Sequence, residues 1–167
     1  MLMRVSTRWL DDEERAAWLG LIAVVELLPG ALDSQLRRDA GITHYDYFVL
    51  AMLSEAPERT LRMTVLAQLT NATLPRLSHV VRRLEDRGLV ERIPCPEDAR
   101  ATNARLSTTG LDLVVDAAPG HVAAVRANAL DGLSRRQLVQ LRQISTALLG
   151  RLDPDGRMAG FYTKENH

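Results

Sequence analysis

The sequence predicts a mainly α-helical chain. Long helices stand at both ends, two short helices meet at a tight turn near the middle, and a small two- or three-stranded sheet follows them. Three observations predict this. Ala, Leu and Val are common while aromatics make up only 4% of residues, which favours helices over a sandwich. Apolar residues recur at helical spacing in segment after segment. Ser, Thr or Asp, followed three residues later by an acid or Gln, precedes several of those segments. At 167 residues the chain suits a single domain with a real core.

Asp11-Asp-Glu-Glu14 marks the first helix start, and Trp18, Leu19, Ile22, Val25 and Leu28 follow up to Pro29-Gly30. This helix is apolar on more than one face, as a helix wrapped inside a dimer would be. Thr43-His-Tyr-Asp46 opens a second helix to Ser54. Thr64 is placed to cap a third over Val65–Leu69, and Thr73 a fourth over Leu74–Arg87, with Pro75 in the first turn where its missing N–H costs nothing. Gly88 is the expected glycine after that helix, with Leu89 packing back on Leu84. Residues 89–93 and about 102–106 read as two strands around CPEDARATNARLS. Ser107 caps a fifth helix, broken or kinked at Pro119-Gly120, and Ser134-Arg-Arg-Gln137 opens the last. Leu138, Leu141, Ile144 or Ser145, Leu148 and Leu152 stripe that helix near heptad spacing.

Net charge is zero, but its distribution is uneven. Residues 1–58 carry 5 Arg against 10 acids, and residues 59–105 carry 9 Arg against 5. The middle third is therefore basic. Arg suits bidentate contacts to phosphate or guanine, although 20 of the 21 basic residues are Arg throughout, which fits a chain-wide bias equally well. One cysteine excludes an internal disulfide framework. The N-terminal stretch has no apolar signal core, and the longest apolar run, Ala16–Val25, is too short to span a bilayer. These features suggest a cytoplasmic location and no membrane partner.

The short helices joined by Thr70-Asn-Ala-Thr73 form a helix-turn-helix, and the hairpin after them forms a wing. On a helical wheel Leu74, Leu77, Val80, Val81 and Leu84 gather on one side of the fourth helix, with Pro75, His79 and Arg82 opposite, flanked by Arg76, Ser78 and Arg83. One face packs on the domain and the other offers hydroxyl, imidazole and guanidinium groups to a major groove. Alone, the same face fits an ordinary amphipathic helix with a solvated basic side. The hairpin places Arg100 at its tip, two residues from Asp98. At that spacing the Asp is expected to hold the Arg guanidinium in one rotamer. An oriented arginine on a finger suits a narrow minor groove, whose negative potential attracts it. A turn-stabilising ion pair is the plainer alternative.

Residues about 40–152 resemble the MarR-type winged-helix transcriptional regulators. The resemblance rests on Leu61-Arg-Met-Thr-Val-Leu-Ala67, on RRLEDRGLVER ending at Arg92, and on Pro96-Glu-Asp-Ala-Arg100 leading to Arg105-Leu-Ser-Thr-Thr-Gly110. It implies one domain, with a winged-helix lobe at about 40–110 and a helical dimerisation lobe from about 11–39 and 108–152. It also implies a homodimer on a pseudo-palindromic operator in double-stranded DNA, with equivalent contacts about 10 bp apart. By position, Pro75, Arg76, Ser78, His79 and Arg82 match the family's major-groove face, Arg100 its wing arginine, Asp98 the orienting partner and Thr64 a phosphate-contacting cap. His79 stands where the family usually has Arg, Pro75 and Arg76 replace small hydroxyl residues, and Val65 replaces a frequent Glu. The family answers to small aromatic effectors bound between the dimer helices and the winged lobe. Trp18, His44, Tyr45 and Phe48 are the candidates here, with core packing and helix capping as competing roles. Cys95 reads as an adventitious exposed thiol whose neighbours Glu97 and Asp98 oppose a lowered pKa. The four histidines are scattered, which speaks against a metal.

Other function classes fit less. No GxGxxG, P-loop, GxSxG or HExxH occurs, so no enzyme is indicated and no cofactor is expected. A helix-mediated interaction dimer leaves the wing unexplained. A non-specific architectural DNA binder is opposed by the zero net charge. The sequence therefore points to a dimeric, sequence-specific transcription factor, a repressor by occupancy and released by a small ligand.

Overall fold

The computed structural model describes residues 7–96 and 98–158. The sequence readings that involve residues 1–6, Glu97 and His167 fall outside these described residues.

Helix α1 (Asp12–Ala40) starts with a capping box, in which the Asp11 side chain accepts from the Glu14 N–H while Glu14 reaches back to the Asp11 N–H. It does not stop at Pro29-Gly30. Pro29 removes one backbone hydrogen bond, but the later turns pack along α5, and the helix ends only at Gly41, whose φ of 65° is natural for glycine. Helix α2 (His44–Ser54) opens with the Thr43/Asp46 capping box. A short strand β1 (Thr60–Arg62) leads directly into α3 (Met63–Leu69). Thr64 therefore lies inside the first turn and is not the cap; Arg62 occupies the N-cap position, and its side chain makes no capping bond. Asn71, at φ 48°, makes the turn into α4 (Leu74–Asp86), which Thr73 caps by accepting from the Arg76 N–H.

Helix α4 ends in a Schellman motif, with Gly88 N–H bonded to Glu85 O at 2.8 Å and Leu89 N–H to Leu84 O at 3.0 Å. Strands β2 (Val90–Cys95) and β3 (Asp98–Leu106) form the wing, and β1 joins the other side of β3, giving an antiparallel sheet ordered β1-β3-β2. Ser107 caps α5 (Thr108–Val125), which runs unbroken through Pro119 and widens into a π turn at Arg126–Leu130. The helix is not interrupted at Pro119-Gly120, since packing of α5 on α1 and α2 carries it past one missing bond. Ser134 and Gln137 form the capping box of α6 (Arg135–Leu152).

The core lies in the middle lobe. Leu36, Ile42, Leu50, Leu53, Leu66, Leu77, Val81 and Leu84 have essentially no exposed surface. Burying such side chains is the main source of stability here. The ends are the opposite. Trp18, Leu19, Val24, Val25 and Leu27 of α1 are exposed, as are Leu141, Ile144, Leu148 and Leu152 of α6. Among the described residues α6 buries none. Helix α1 is also long and apolar enough, by length and composition, to cross a bilayer, with a mean hydropathy of 1.6 over its best window. The uninterrupted run Ala16–Val25 understates this, because only Glu26 carries a charge between Arg15 and Asp33.

Candidate nucleic-acid interface

The α4 wheel holds in three dimensions with one change. Leu77, Val80, Val81 and Leu84 are buried, but Leu74 is 42% exposed and faces the wing. Pro75, Arg76, His79 and Arg82 are exposed on the outer face and Ser78 is half-buried beside them. Arg100 is exposed on the wing and Thr64 on α3. Between these walls runs an open cleft of about 330 Å³, lined by Arg62, Thr64, Ser78, Arg92, Asp98 and Arg100 among others. Helix face and finger thus lie on one side of the molecule, with guanidinium groups on both.

The arginines divide by what they touch. Arg82 and Arg100 make no salt bridge to any described residue. Arg76 lies over the Tyr45 ring, 4.9 Å from its centroid. Arg83, counted from the wheel among the groove-facing groups, bonds to the buried carboxylate of Asp46 in the first turn of α2. Its guanidinium is therefore committed to the protein. Arg92 is held by Glu85, with its Nε–H donating at 2.7 Å and its backbone N–H at 3.1 Å. Those bonds keep the Glu85 carboxyl below the usual carboxylate range. The Glu85–Arg92 pair ties the wing to the end of α4.

Asp98 does not clamp the Arg100 side chain. One carboxylate oxygen accepts from the Arg100 backbone N–H at 3.1 Å, and the other from Arg62 Nη2 at 2.7 Å. The correction follows from the turn. A carboxylate two residues upstream reaches the backbone N–H sooner than a long side chain that leaves the turn. Arg62 was missed because β1 is only three residues long and gives no strand pattern. Cys95 is also corrected. It is buried at 7% exposure, on the inner side of the wing with its Sγ 4.0 Å from Arg62 Nη2.

The four effector candidates face different neighbours. Trp18 is half exposed on α1. Tyr45 turns toward the helix-turn-helix, where its hydroxyl donates to Thr70 Oγ1 at 3.0 Å. Phe48 packs against the core. His44 faces α1 and α5: its N–H donates to Asp33 at 2.9 Å, and its ring lies 5.8 Å from that of His121, which in turn is 4.5 Å from Tyr47. Burial pushes both imidazoles below their ordinary pKa; Asp33 partly offsets this at His44, and the neighbouring His44 adds to it at His121. Sequence reasoning missed His121 and Tyr47, which lie far apart in the chain. No group of three or more His, Cys, Asp or Glu suited to a metal occurs among the described residues.

A helix offering donors beside a projecting arginine is an arrangement for reading duplex DNA, and the comparisons with known proteins agree. Residues 40–101 match the MarR family model. Sco3205, a MarR family transcriptional regulator from Streptomyces coelicolor solved in complex with DNA, is 42% identical; the match covers 90% of this chain and 94% of that one, with a TM-score of 0.86. AbsC, another from the same organism, is 37% identical over 87% of this chain and 98% of that one, with a TM-score of 0.83. CouR from Rhodococcus jostii RHA1, solved bound to p-coumaroyl-CoA, shares the fold at 23% identity, a TM-score of 0.69, and coverage of 83% and 92%. No match is found among curated proteins.

Proposed function

This chain belongs to the MarR family of DNA-binding transcriptional regulators, which are not enzymes, and we propose that it acts as a homodimeric repressor of a pseudo-palindromic operator, released by a small aromatic ligand. The carrying observation is that the exposed face of α4 and the guanidinium of Arg100, which makes no salt bridge to a described residue, share one side of the molecule. In this reading Pro75, Arg76, Ser78, His79 and Arg82 meet the major groove, Arg100 enters the minor groove, and Thr64 meets a phosphate. The chain is one domain of two lobes, about 40–110 for DNA and about 11–39 with 108–152 for the partner subunit. It works in the cytoplasm, where its DNA lies.

The dimer reading is supported by the exposed apolar residues of α1 and α6, which a second copy covers as a symmetric, self-complementary face. We assign the apolar flanks of α1 to that subunit and not to a bilayer, because its last turns pack on α2 and α5. Repression follows from occupancy of a promoter palindrome. For the effector, the fold-mate CouR is a protein that holds an aromatic acyl-CoA, and His44, the residue of the original four that joins α1, α2 and α5, is the candidate most suited to sense one.

The test is binding of purified protein to DNA from upstream of its own gene, at near-physiological salt with excess unrelated competitor. A shift that survives competition and footprints a two-fold site supports the reading. Loss to competitor leaves an architectural binder. No binding even at low salt leaves an interaction dimer.

A further inference from the structure

We propose that Arg62 is a positioning residue for the wing: by pairing with Asp98 it fixes the turn that presents Arg100 and leaves the Arg100 guanidinium free for DNA. The proposal rests on Arg100 being the minor-groove contact.

Arg62 ends β1, immediately before α3, and pairs across the sheet with Asn103 of β3. From there its guanidinium reaches both arms of the hairpin beside its turn, Asp98 Oδ2 at 2.7 Å and Cys95 Sγ at 4.0 Å, where Cys95 and Asp98 are themselves cross-strand partners. The second Asp98 oxygen accepts from the Arg100 N–H. One carboxylate thus joins the start of the helix-turn-helix to the first residues of β3, which carry Arg100.

The arrangement also settles a competition. Without Arg62, the Asp98 carboxylate, two residues from Arg100 in sequence, is open to the Arg100 guanidinium. That carboxylate would pair with Arg100 and would repel nearby phosphates. With Arg62 in place, Asp98 is neutralised and Arg100 makes no salt bridge to a described residue. Both partners are about two-fifths exposed, so the pair adds little to stability and its effect lies in geometry and charge. Arg62 Nε is buried with no hydrogen-bond partner among the described residues, which the molecule tolerates to hold the guanidinium beside the hairpin turn.

The test is a double-mutant cycle on the full chain with a footprinted operator: Arg62→Met, Arg100→Ala and both together. The readouts are affinity at two salt concentrations, hydroxyl-radical protection of the flanking minor groove, and methylation protection of guanines in the major groove. Arg62→Met and Arg100→Ala should each weaken binding by about tenfold, the factor carried by one charge-assisted contact. The double variant should match Arg100→Ala within about twofold, because coupled residues are not additive. Both should lose minor-groove protection and keep guanine protection. Arg62→Lys, which keeps the charge, should recover part of the binding. If the two effects multiply, Arg62 contacts DNA itself and the positioning role is wrong. If Arg62→Met binds as wild type while Arg100→Ala does not, the positioning role fails and the wing reading stands. If Arg100→Ala binds as wild type, the wing reading fails and the proposal falls with it. Should Arg62→Met not fold, Asp98→Ala takes its place in the cycle: the same non-additive loss is expected, and wild-type binding would overturn the proposal.

Discussion

Arg83, near the end of α4, donates to the buried carboxylate of Asp46 in the first turn of α2. Asp46 is 3% exposed at its side chain and also accepts from the Thr43 N–H through its other oxygen. One residue thus joins the start of α2 to the end of α4. Nearby, the Asp33 carboxylate of α1 accepts from the His44 N–H, and Arg87 of α4 donates to Gly41 O. Polar contacts at the α1–α2 junction thereby connect α1 to α4.

Arg83→Ala should therefore behave as a stability variant. Removing one partner strands a buried carboxylate. Because Arg83 is itself nearly half exposed, the loss should be about 1–3 kcal/mol, below the range for fully buried pairs. Denaturant unfolding checks it. The salt slope of DNA binding should stay at the wild-type value, since no phosphate contact is removed. A shallower slope with unchanged stability would return Arg83 to the DNA.

Arg82→Ala should do the reverse. Arg82 is exposed on the same helix and makes no salt bridge to a described residue, so unfolding should change by less than about 0.5 kcal/mol. Discrimination at one operator position should relax by about 1–3 kcal/mol, read from binding to single-base operator variants. A uniform loss across all variants would make it a phosphate contact.

Acid should weaken the fold in two separable steps. Burial holds His44 and His121 below the ordinary imidazole value, so the folded chain binds fewer protons than the unfolded one. Their contribution is complete above about pH 6.5 and is lost as pH falls from there through their lowered folded values. Asp33, held down chiefly by the Arg37 bond, Asp39 by Gln35 and Glu85 by Arg92 act later. They stabilise above about pH 4 and lose that effect only below it. Thermal unfolding from pH 8 to 3 should show both steps. The variant His44→Gln/His121→Gln should lose the first step and keep the second; persistence of the first in that variant would assign it elsewhere.

Gly110 is fixed by a close approach. A Cβ there would lie 2.2 Å from Leu89 O and 2.7 Å from Leu106 Cδ1, and the Gly110 N–H is the donor that Ser107 caps. Gly110→Ala should destabilise by about 1–3 kcal/mol, as overpacking does, although Ala is the better helix former. A rise in Tm would show that the backbone relaxes freely.

The legible parts of this molecule were those written in local sequence. Asp11, Thr43, Thr73, Ser107 and Ser134 all cap helices, as their spacing to the following residues predicts. The outer face of α4 followed from a 100° step. Pro29 and Pro119 misled because local breaking strength was outweighed by packing between α1 and α5. Arg62–Asp98 and Arg83–Asp46 join residues 36 and 37 positions apart. Such pairs leave no periodic trace, so the true partners of Asp98 and Arg83 emerged only in three dimensions.

Ile144 is 57% exposed on α6, with Leu141 and Leu148 of the same stripe also uncovered, while α1 exposes Trp18, Leu19 and Leu27. Burying one Ile side chain contributes roughly 1.5–3 kcal/mol, and a symmetric interface uses each residue twice. Ile144→Glu should split the proposed homodimer at micromolar concentration while leaving the winged lobe folded, because α6 buries nothing among the described residues. Sedimentation should show a monomer with near-native helix content, and operator binding should drop steeply as the two half-sites lose their link. If Ile144→Glu remains a dimer with full operator affinity, the subunits meet through another face, and α1 becomes the next helix to test.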